Sequence, residues 1–405
     1  MNPGHTPGAR PSARIGKVEA ICIRAPEPLA ARDWWVTTPM DVFSDRDRLS
    51  ESHVGSTNVL VRVTTDDGVV GVGTVGLGSP AAKAVIDLHL TPLILGHDAF
   101  DVELIWEKMF RSTVSIGRKG LVLEAISAID IALWDIMGKR LSVPVCDLLG
   151  GRTRTRIRAY ASQSYARDDL DAVREEAARY AREGFTALKM RFGWGPRDGE
   201  PGKRRNRQLV ETVRDAIGPD VELMADAYMG WDERYAIDMI RRLQDLDLAW
   251  VEEPLLPDDL AGYARIRGAV PTPISGGEHE FTRWGYLQML TSGSVDIVQP
   301  DVNRMGGITE ARKVFALASC FNTPVIPHSN QAHNAHLILA HMNAPLIEVF
   351  PKGTIRSAYT FYSELFSGEP EAVDGWVTVS ERPGLGIEVN EDVLAEYRVA
   401  SADPA

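Results

Sequence analysis

The stretch AWVEEPLL, residues 249–256, joins an apolar run to two adjacent carboxylates, Glu252 and Glu253, and Pro254 follows at once. Burying a charge costs free energy unless the charge is paired or bound to a metal ion, and proline interrupts a strand. One explanation is a strand end that reaches solvent. The other is a functional carboxylate, and the choice between them depends on how the other strands of the chain end.

Seven other short apolar segments after residue 155 resemble this one, and amphipathic helical segments separate them. The eight candidate strands are IRAYAS, TALKMRF, VELMADA, LAWVEEP, TPISGGE, VDIVQPD, TPVIPH and PLIEVF. Strands that alternate with helices predict a parallel sheet, and eight of them close well into a barrel. An open doubly wound sheet is the alternative, but its usual glycine-rich phosphate loop after the first strand is missing from this sequence.

The sequence before this region predicts a different arrangement. Predicted strands cover 17–24 and 58–75, with a hairpin turn at TTDDG, and helical patterns cover 80–110 and 120–140. A long polar and aromatic loop separates the two strands, and such loops in compact domains are usually lids, binding loops or disorder. Asp130 and Asp135 lie beside the apolar stripe of the second helical pattern, so we expect them to form structural hydrogen bonds.

Length and pattern together predict one large α/β domain and a smaller one. The start of the chain is rich in Pro, Gly and Arg and lacks the apolar segment of a targeting sequence, which indicates disorder. The predicted division is a disordered tail at 1–16, an N-terminal α+β domain at 17–150, a barrel domain at 151–355, and a C-terminal segment at 356–405 that packs back on the N-terminal domain.

The composition is that of a soluble globular protein, with 44% apolar and 25% charged residues among 405. The net charge is −12 without a block of like charge, so neither nucleic acid nor a membrane surface is an expected partner. No window approaches 18 uninterrupted apolar residues, so no membrane span is expected. Three scattered cysteines exclude a disulfide framework and indicate the cytoplasm.

In a barrel of this type, side chains at the carboxyl ends of the strands meet at one mouth. Ionisable residues end successive predicted strands: Lys189 and Arg191, Asp226, Glu252, Glu278, Asp301, His328 and Glu348. One strand that ends in a carboxylate is ordinary, whereas a succession of such strands places the charged groups together. Glu252 is therefore predicted to belong to an active site.

Asp226, Glu252 and Glu278 end three consecutive predicted strands and are 26 residues apart in both intervals. Neighbouring carboxylates repel one another unless a cation lies between them. Oxygen ligands with open positions for substrate and water suit Mg²⁺. We therefore predict one Mg²⁺ per subunit on these three residues, with separate surface salt bridges as the alternative.

Lys189 and Arg191 alternate with Met190, so both side chains face the same side of their strand. Three carboxylates and one Mg²⁺ leave the site negative, and these two cations reverse the sign, so the predicted partner is a small-molecule carboxylate. Arg191 cannot act as a base because a guanidinium is not deprotonated in proteins. Lys189 could act as a base if its pKa were depressed, and a solvated pair at a strand end is the alternative.

Asp301 and His328 end consecutive predicted strands, and a carboxylate beside an imidazole fixes its tautomer and raises its basicity. His328 is therefore the predicted general base. His279, which follows Glu278 directly, is a candidate acid or a structural residue. Glu348 is a candidate that, if kept protonated by its surroundings, donates a hydrogen bond to the substrate oxygen where charge develops.

Together these groups predict removal of a proton next to a carboxylate, with the resulting enediolate stabilised by the metal and by cationic side chains. An enediolate can expel a β-hydroxyl or be reprotonated. The residues therefore leave two readings open, a dehydratase or else a racemase, epimerase or cycloisomerase. A catalytically silent barrel with a binding role is a third reading, although every group the chemistry needs is present.

The motifs LKMR, MADA, VEEP, GGE, QPD, PH and IEVF on successive strands resemble the enolase superfamily, in its mandelate racemase-like subgroup, over residues 17–395. AISAIDIALWDIMGK followed by PVCDLLGG is similar to the helix and linker that lead into that family's barrel. The resemblance implies a modified (β/α)8 TIM-like barrel with an N-terminal α+β capping domain whose loops close over the mouth. It also implies Mg²⁺ on the three carboxylates, acid/base catalysis by the Asp301–His328 dyad, and a homo-oligomer.

Within that subgroup the sequence is most similar to acid-sugar dehydratases of the rhamnonate type, through TTPMD in the long loop, GWGPRDG after Lys189, and GEH at His279. Racemases of the subgroup carry a second lysine where this chain has Arg191. The resemblance therefore favours a single base, with His328 abstracting the C2 proton and its conjugate acid helping the 3-hydroxyl leave. The expected product is a 2-keto-3-deoxy acid.

Specificity in such enzymes resides in loops. The candidate substrate-binding residues are Trp34, Trp35 and Asp41 in the long loop, and Tyr228 after the strand that ends at Asp226. Ordinary loop roles are the alternative for each of them. The loop segment DWWVTTPMDVF also lacks the histidine that rhamnonate enzymes carry near this point.

Overall fold

The computed structural model describes residues 13–24, 33–43, 57–76, 80–351 and 362–399. Residues 1–12 of the predicted tail and 44–56 of the long loop lie outside these ranges. The last residues of the predicted tail are a correction, because the first strand begins at Ile15, and Ile15 is 1% exposed. The tail was predicted too long because a single apolar residue among polar ones gives little strand signal.

The N-terminal domain contains an antiparallel sheet built around the predicted hairpin. The strands of this domain are β1 (Ile15–Arg24), β2 (Trp34–Trp35), β3 (Thr57–Thr65) and β4 (Val70–Thr74). β1, β3 and β4 pair in that order, and β2 pairs elsewhere. Val59, Val61 and Val63 of β3 are fully buried, as expected for β-branched residues in a central strand.

Helices cover one face of this sheet. They are α1 (Pro80–Val85), α2 (Thr91–Ile94), α3 (Val102–Thr113), α4 (Leu121–Leu141) and α5 (Val145–Leu148), with a π-helical turn at Ile86–Leu90. Helix α4 lies directly on β4, because a Cβ atom at Gly73 would come within 2.1 Å of the Ala128 carbonyl oxygen. Glycine is needed there for the close approach. No helix in the described part of the chain is long and apolar enough to cross a membrane.

The barrel follows α5, and we propose that the domain boundary lies near residue 150. Its strands are β5 (Ile157–Ser164), β6 (Ala166–Arg167), β7 (Ala187–Arg191), β8 (Glu222–Asp226), β9 (Leu248–Glu252), β10 (Ile274–Gly276), β11 (Ile297–Val298) and β12 (Leu346–Val349). They pair in parallel in the order β11–β10–β9–β8–β7–β5–β12, with β6 set apart beside β2.

The seventh predicted strand, TPVIPH, is reduced to a single bridge between Val325 and Val298. Backbone bonds from Val298 N to Pro324 O at 3.0 Å and from Ile326 N to Val298 O at 2.9 Å still hold it beside β11. Proline has no N–H group to donate, so the two prolines that flank this segment shorten the ladder. The segment nevertheless carries His328 to the same end of the barrel as the other strands.

Amphipathic helices surround the strands. They are α6 (Leu170–Arg182), α7 (Gly199–Ile217), α8 (Glu233–Arg242), α9 (Leu260–Ala269), α10 (Thr282–Thr291), α11 (Gly307–Cys320) and α12 (Ala332–Ala340). Inside the barrel, Tyr160, Met224, Trp250 and Leu346 form a separate apolar cluster. These side chains fill the lower part of the barrel, so that polar strand ends are left only at the mouth.

The C-terminal segment lies against both domains. It comprises α13 (Tyr362–Leu365), β13 (Phe366–Ser367), β14 (Ala372–Val373), β15 (Trp376–Val377), β16 (Glu388–Val389) and α14 (Glu391–Tyr397). β15 pairs antiparallel with β5, and Arg398 forms a bridge with Ile23 of β1.

Asp130 and Asp135 of α4 make structural hydrogen bonds, as predicted. Asp135 accepts bonds from Val72 N at 3.1 Å and Leu385 N at 2.9 Å, and Asp130 accepts one from Thr309 N at 2.9 Å. Helix α4 therefore joins the N-terminal sheet, the C-terminal segment and the barrel.

The buried Asp130 gives a testable pH dependence. Burial raises the pKa of its carboxyl to about 7, although hydrogen bonds from Thr309 oppose the shift. Because the unfolded chain then loses this proton at lower pH than the folded one, the free energy of unfolding falls as pH rises from about 4 to about 7. We expect Asp130→Asn, which keeps the acceptor for Thr309 N, to be about 2 to 4 kcal/mol more stable than wild type at pH 8, and less so at pH 5.

Thermal unfolding midpoints of both proteins across this pH range check the expectation. Asp135→Asn is the matched control on the same helix. We expect it to destabilise the protein, because one amide oxygen replaces two carboxylate oxygens that accept from Val72, Leu385 and Lys139. Parallel pH curves for wild type and Asp130→Asn would contradict the assignment.

Candidate active site

The carboxyl ends of β7, β8 and β9 lie level with one another. Arg191 pairs with Asp226 in the register of β7 and β8, and Asp226 pairs with Glu252 in that of β8 and β9. All three side chains belong to residues that are at most 5% exposed. Glu252 is thus a buried member of a charged cluster and not a strand end in solvent.

Lys189 lies between two carboxylates of this cluster. Its Nζ donates a hydrogen bond to Glu252 Oε1 and lies 3.0 Å from Glu348 Oε1. Burial lowers the pKa of Lys189, but the charges of Glu252 and Glu348 outweigh burial and raise that pKa well above its ordinary value. The depressed pKa that Lys189 would need to act as a base is therefore not found here, and its catalytic role stays a prediction.

Arg191 adds a second cation on the same side of the mouth. Its Nε lies 3.7 Å from Asp226 Oδ2, and its Nη1 donates to Ser162 O at 3.4 Å. The guanidinium carbon lies 4.5 Å from the centre of the Tyr165 ring, a cation–π contact. Arg191 therefore adds charge and hydrogen-bond donors to this side of the site, and it does not itself accept a proton.

Two of the three predicted metal ligands resist ionisation, whereas neighbouring positive charges outweigh burial and lower the pKa of the third, Glu278. Burial and then the charge of Glu252 raise the pKa of Asp226 well above its usual range. Burial also raises the pKa of Glu252, although Lys189 opposes the shift. Buried carboxylates that resist ionisation in this way, with oxygen atoms as donors, fit a hard divalent cation such as Mg²⁺.

A neighbouring group offers a second set of possible ligands. Glu253, Glu278 and His279 each place one ligand atom within 4.8 Å of the others. However, His279 Nδ1 lies 2.9 Å from Glu253 Oε2, so these two side chains already form a hydrogen bond. An imidazole nitrogen is also a poorer ligand for Mg²⁺ than a carboxylate oxygen. We therefore keep Asp226, Glu252 and Glu278 as the proposed ligands.

His328 and Asp301 form the predicted dyad. His328 Nδ1 donates to Asp301 Oδ2 at 2.7 Å, which leaves Nε2 facing Glu278 Oε2 at 3.6 Å. Burial lowers the pKa of His328, but the charges of Glu278 and Glu348 and the bond to Asp301 raise it to about 9. A cation bound by Glu278 would oppose that increase and move the pKa toward the range in which a base works at neutral pH.

Arg304 is a site residue that the sequence reasoning missed. Its Nε lies 3.1 Å from Asp301 Oδ2, and its Nη1 lies 3.4 Å from Glu278 Oε1. Burial raises the pKa of Asp301, but Arg304 and His328 outweigh it, so the pKa is lower than usual and Asp301 stays ionised. The position of Arg304 three residues after Asp301, in the loop that follows a strand end, was the available signal.

Glu348 differs from the expectation. Burial raises its pKa, yet Lys189 and His328 more than compensate and lower it to about 2. Its Oε2 also accepts a bond from Ser329 N at 2.7 Å. This arrangement favours an ionised Glu348 beside Lys189, and its role as a protonated donor to the substrate stays a prediction.

His279 lies beside the cluster as predicted, with a partner that was not predicted. Glu253 accepts its Nδ1–H, and the ring of Tyr228 lies 5.8 Å away. Glu253 and Tyr228 have φ angles of 37° and 40°, in the left-handed region that non-glycine residues rarely adopt. The second carboxylate of VEEP was the signal for Glu253, because it follows the ligand Glu252 directly.

The remaining candidates for substrate binding lie in the loop before β3 and, for Tyr228, after β8. β2 pairs with β6, which places the Trp34 ring 4.3 Å from the Tyr165 ring, close to Arg191. Trp34, Val36 and Tyr165 form one apolar cluster, and Tyr228 packs on it, on the side of the site where Arg191 contacts Tyr165.

Trp35 and Asp41 make structural contacts. Trp35 Nε1 donates to Gly193 O at 3.0 Å, which fixes the loop to the barrel. The Asp41 carboxylate accepts bonds from Thr37 Oγ1 at 3.0 Å and Thr38 Oγ1 at 3.1 Å, at the start of the 3-10 helix Pro39–Val42. The predicted contacts of Trp35 and Asp41 with substrate stay a prediction.

Two family models match the chain. Enolase C-terminal domain-like covers residues 172–393, and the mandelate racemase / muconate lactonizing enzyme N-terminal domain covers residues 48–150. Together they extend over both domains of the structure.

Curated relatives cover most of the chain. An L-rhamnonate dehydratase of Saccharopolyspora erythraea is 38% identical over 377 residues, which are 90% of this chain and 92% of the relative. A D-galactarolactone cycloisomerase of Agrobacterium fabrum is 37% identical over 353 residues, which are 84% of this chain and 91% of the relative.

Solved structures agree in fold. L-rhamnonate dehydratase from Gibberella zeae superimposes with a TM-score of 0.86 at 31% identity, over 98% of this chain and 100% of that one. Rhamnonate dehydratase from the same organism, complexed with Mg, gives a TM-score of 0.84 at 29% identity, over 97% and 98%.

Proposed function

The chain belongs to the enolase superfamily, with the mandelate racemase / muconate lactonizing enzyme N-terminal domain, and on this premise we propose that it is a Mg²⁺-dependent dehydratase of an acid sugar. It acts as a hydro-lyase on an aldonate of the rhamnonate kind and gives a 2-keto-3-deoxy acid. A cytoplasmic location and a homo-oligomer stay predictions.

The observation that carries this proposal is the asymmetry of the site. His328 Nε2 faces the site from one side, held by Asp301, whereas Lys189 and Arg191 on β7 stay charged. A racemase that moves a proton between two faces needs a base on each of them, and the described residues place one imidazole here, opposite two cations. A single base that returns its proton to a leaving hydroxyl fits this arrangement.

Asp226, Glu252 and Glu278 would hold Mg²⁺, which when bound supplies the positive charge that acidifies the proton next to a carboxylate. The same charge would offset the burial that raises the pKa of Asp226 and of Glu252, whereas the pKa of Glu278 is already low.

The residues of the chain then divide the reaction between them. Lys189 and Arg191 attract and orient the substrate carboxylate, because both remain cationic. His328 Nε2 removes the C2 proton, and the C–H electrons give the enediolate of the substrate carboxylate. The enediolate then forms the C2–C3 double bond as the C3–O bond breaks. The His328 imidazolium gives its proton to the departing hydroxyl, which leaves as water, and the enol becomes the 2-keto-3-deoxy acid.

The proposal is tested by assaying purified protein with Mg²⁺ against a stereochemically complete panel of aldonic acids, aldaric acids and their lactones in D₂O. We expect one or a few aldonates to yield a 2-keto-3-deoxy acid carrying solvent deuterium at C3. Chelation of the metal should stop the reaction, and added Mg²⁺ should restore it.

The same assay would also reveal the outcomes that contradict the proposed function. Deuterium at C2 of recovered substrate without loss of water would replace the dehydratase by a racemase or epimerase. Isomerisation of a lactone without loss of water would favour a cycloisomerase, the activity of the Agrobacterium fabrum relative.

A further inference from the structure

The first turn of α4 carries a carboxylate, Glu124, that the proposed reaction does not use. Gly120, the residue before the helix, has a φ angle of 71°, so the chain turns sharply before α4 begins at Leu121. Side chains on a helix lean toward its N-terminus. Glu124 is therefore directed along α4 toward the loops at the mouth of the barrel.

Contacts on both sides of Glu124 fix where it lies. Ser127, three residues later, accepts a hydrogen bond from Gly306 N at 2.8 Å, so this side of α4 contacts the loop after β11. Lys119, five residues earlier, lies 2.9 Å from Glu280 Oε1 in the loop after β10. Glu124 is thus bracketed by the loops that carry Arg304 and His279.

Electrostatic interactions agree with this placement. Burial raises the pKa of the Glu124 carboxyl, and the charges of Arg304, Asp301 and His279 act on it as well. Glu124 is half-buried, and no side chain or N–H group of the described residues lies within hydrogen-bond or ion-pair distance of its carboxylate. Among the described residues, its carboxylate is thus a partly buried acceptor without a partner.

The nearby cations do not satisfy it. Arg304 lies 3.1 Å from Asp301 and 3.4 Å from Glu278, and His279 is hydrogen-bonded to Glu253. Each of these cationic or donor groups is thus already engaged by another carboxylate. A substrate group that donates hydrogen bonds would therefore be favoured beside Glu124, and a second carboxylate of the substrate would be repelled there.

We propose that Glu124 is a substrate-binding residue that sets specificity, accepting hydrogen bonds from hydroxyl groups at the distal end of the acid sugar and rejecting substrates that carry a second carboxylate there. The inference rests on the proposed function and names its substrate class, aldonates in preference to aldarates. The discriminating residue comes from the capping domain, whereas the reacting groups come from the barrel.

The test compares Glu124→Gln with wild type on the best aldonate of the panel and on the aldarate of the same configuration. We expect kcat/KM for the aldonate to fall about tenfold, mainly through KM, because a neutral amide accepts hydrogen bonds more weakly. We expect the inhibition constant of the aldarate to fall about tenfold, because the like-charge repulsion is gone. Glu396→Gln, which changes an exposed carboxylate on α14, should leave both values unchanged.

Calorimetric binding of both acids to the Mg²⁺-loaded proteins separates this inference from the proposed function. If wild type turns over no acid sugar, the proposed function fails, and the binding preference and its loss in Glu124→Gln still decide the role of Glu124. Glu124→Ala should shift the preference in the same direction. A preference that is unchanged within twofold in both folded variants would overturn the inference.

Discussion

Replacing His328 by asparagine is expected to lower kcat for dehydration about 10²- to 10⁴-fold, the contribution of a positioned acid/base group. The reason is that Nε2 of this imidazole is the site's one proton acceptor opposite Lys189 and Arg191 among the described residues, and Asp301 holds it there at 2.7 Å. Both proton transfers, from C2 and to the leaving hydroxyl, depend on the same atom. Dehydration and exchange of the C2 proton with solvent should therefore be lost together.

The measurement is kcat on the identified aldonate, with circular dichroism and Mg²⁺ titration to show that the variant folds and binds the metal. His89→Asn, an exposed histidine of the π-helical turn, serves as the control and should keep full activity. Dehydration at the wild-type rate in His328→Asn would remove this residue from the mechanism. If dehydration were lost but exchange of the C2 proton were retained, a base other than His328 would remove that proton.

Asp226→Asn is expected to have two effects of opposite sign. Without metal, the variant should unfold at a higher temperature than wild type, because burial and the charge of Glu252 disfavour the ionised Asp226. With Mg²⁺ at one hundred times its dissociation constant, wild type should gain about 2.7 kcal/mol of stability and the variant far less. Turnover should fall on the order of 10³-fold, because several kcal/mol of charge stabilisation are lost.

Thermal unfolding with and without Mg²⁺, together with calorimetric titration of the metal, checks both effects. Asp171→Asn, an exposed carboxylate on α6, should respond to Mg²⁺ like wild type. If Asp226→Asn kept the full response to Mg²⁺, the ligand assignment would be wrong. The group formed by Glu253, Glu278 and His279 would then be the next candidate.

The sequence predicted the parts of the site that depend on position along a strand. An apolar run with a charged end places that charge at the mouth whatever its partners are, which is why Asp226, Glu252 and Glu278 could be grouped by their positions along the chain. The fold followed from the alternation of strands and helices. The seventh strand shows the limit, because its prolines keep the direction of the chain but remove the ladder.

The pKa values and contacts that depend on side chains from distant strands could not be predicted from the sequence in the same way. The charges of Glu252 and Glu348 raise the pKa of Lys189, and the charge of Lys189 lowers that of Glu348, although 159 residues separate Lys189 from Glu348. Glu253 and Arg304 were missed for the same reason. Each acts through a side chain brought to it by the closure of the barrel, and no periodicity in the sequence encodes that contact.

Helix α4 belongs to the core of the N-terminal sheet and at the same time forms a wall beside the reacting groups. Any exchange of capping domains between relatives that joins the chains near residue 150 moves this helix, and Glu124 with it, as one unit. Under the role proposed for Glu124, a chimera made in this way would take its preference at the distal end of the substrate from one parent and its reacting groups from the other. A single recombination event would then change that preference and conserve the reaction.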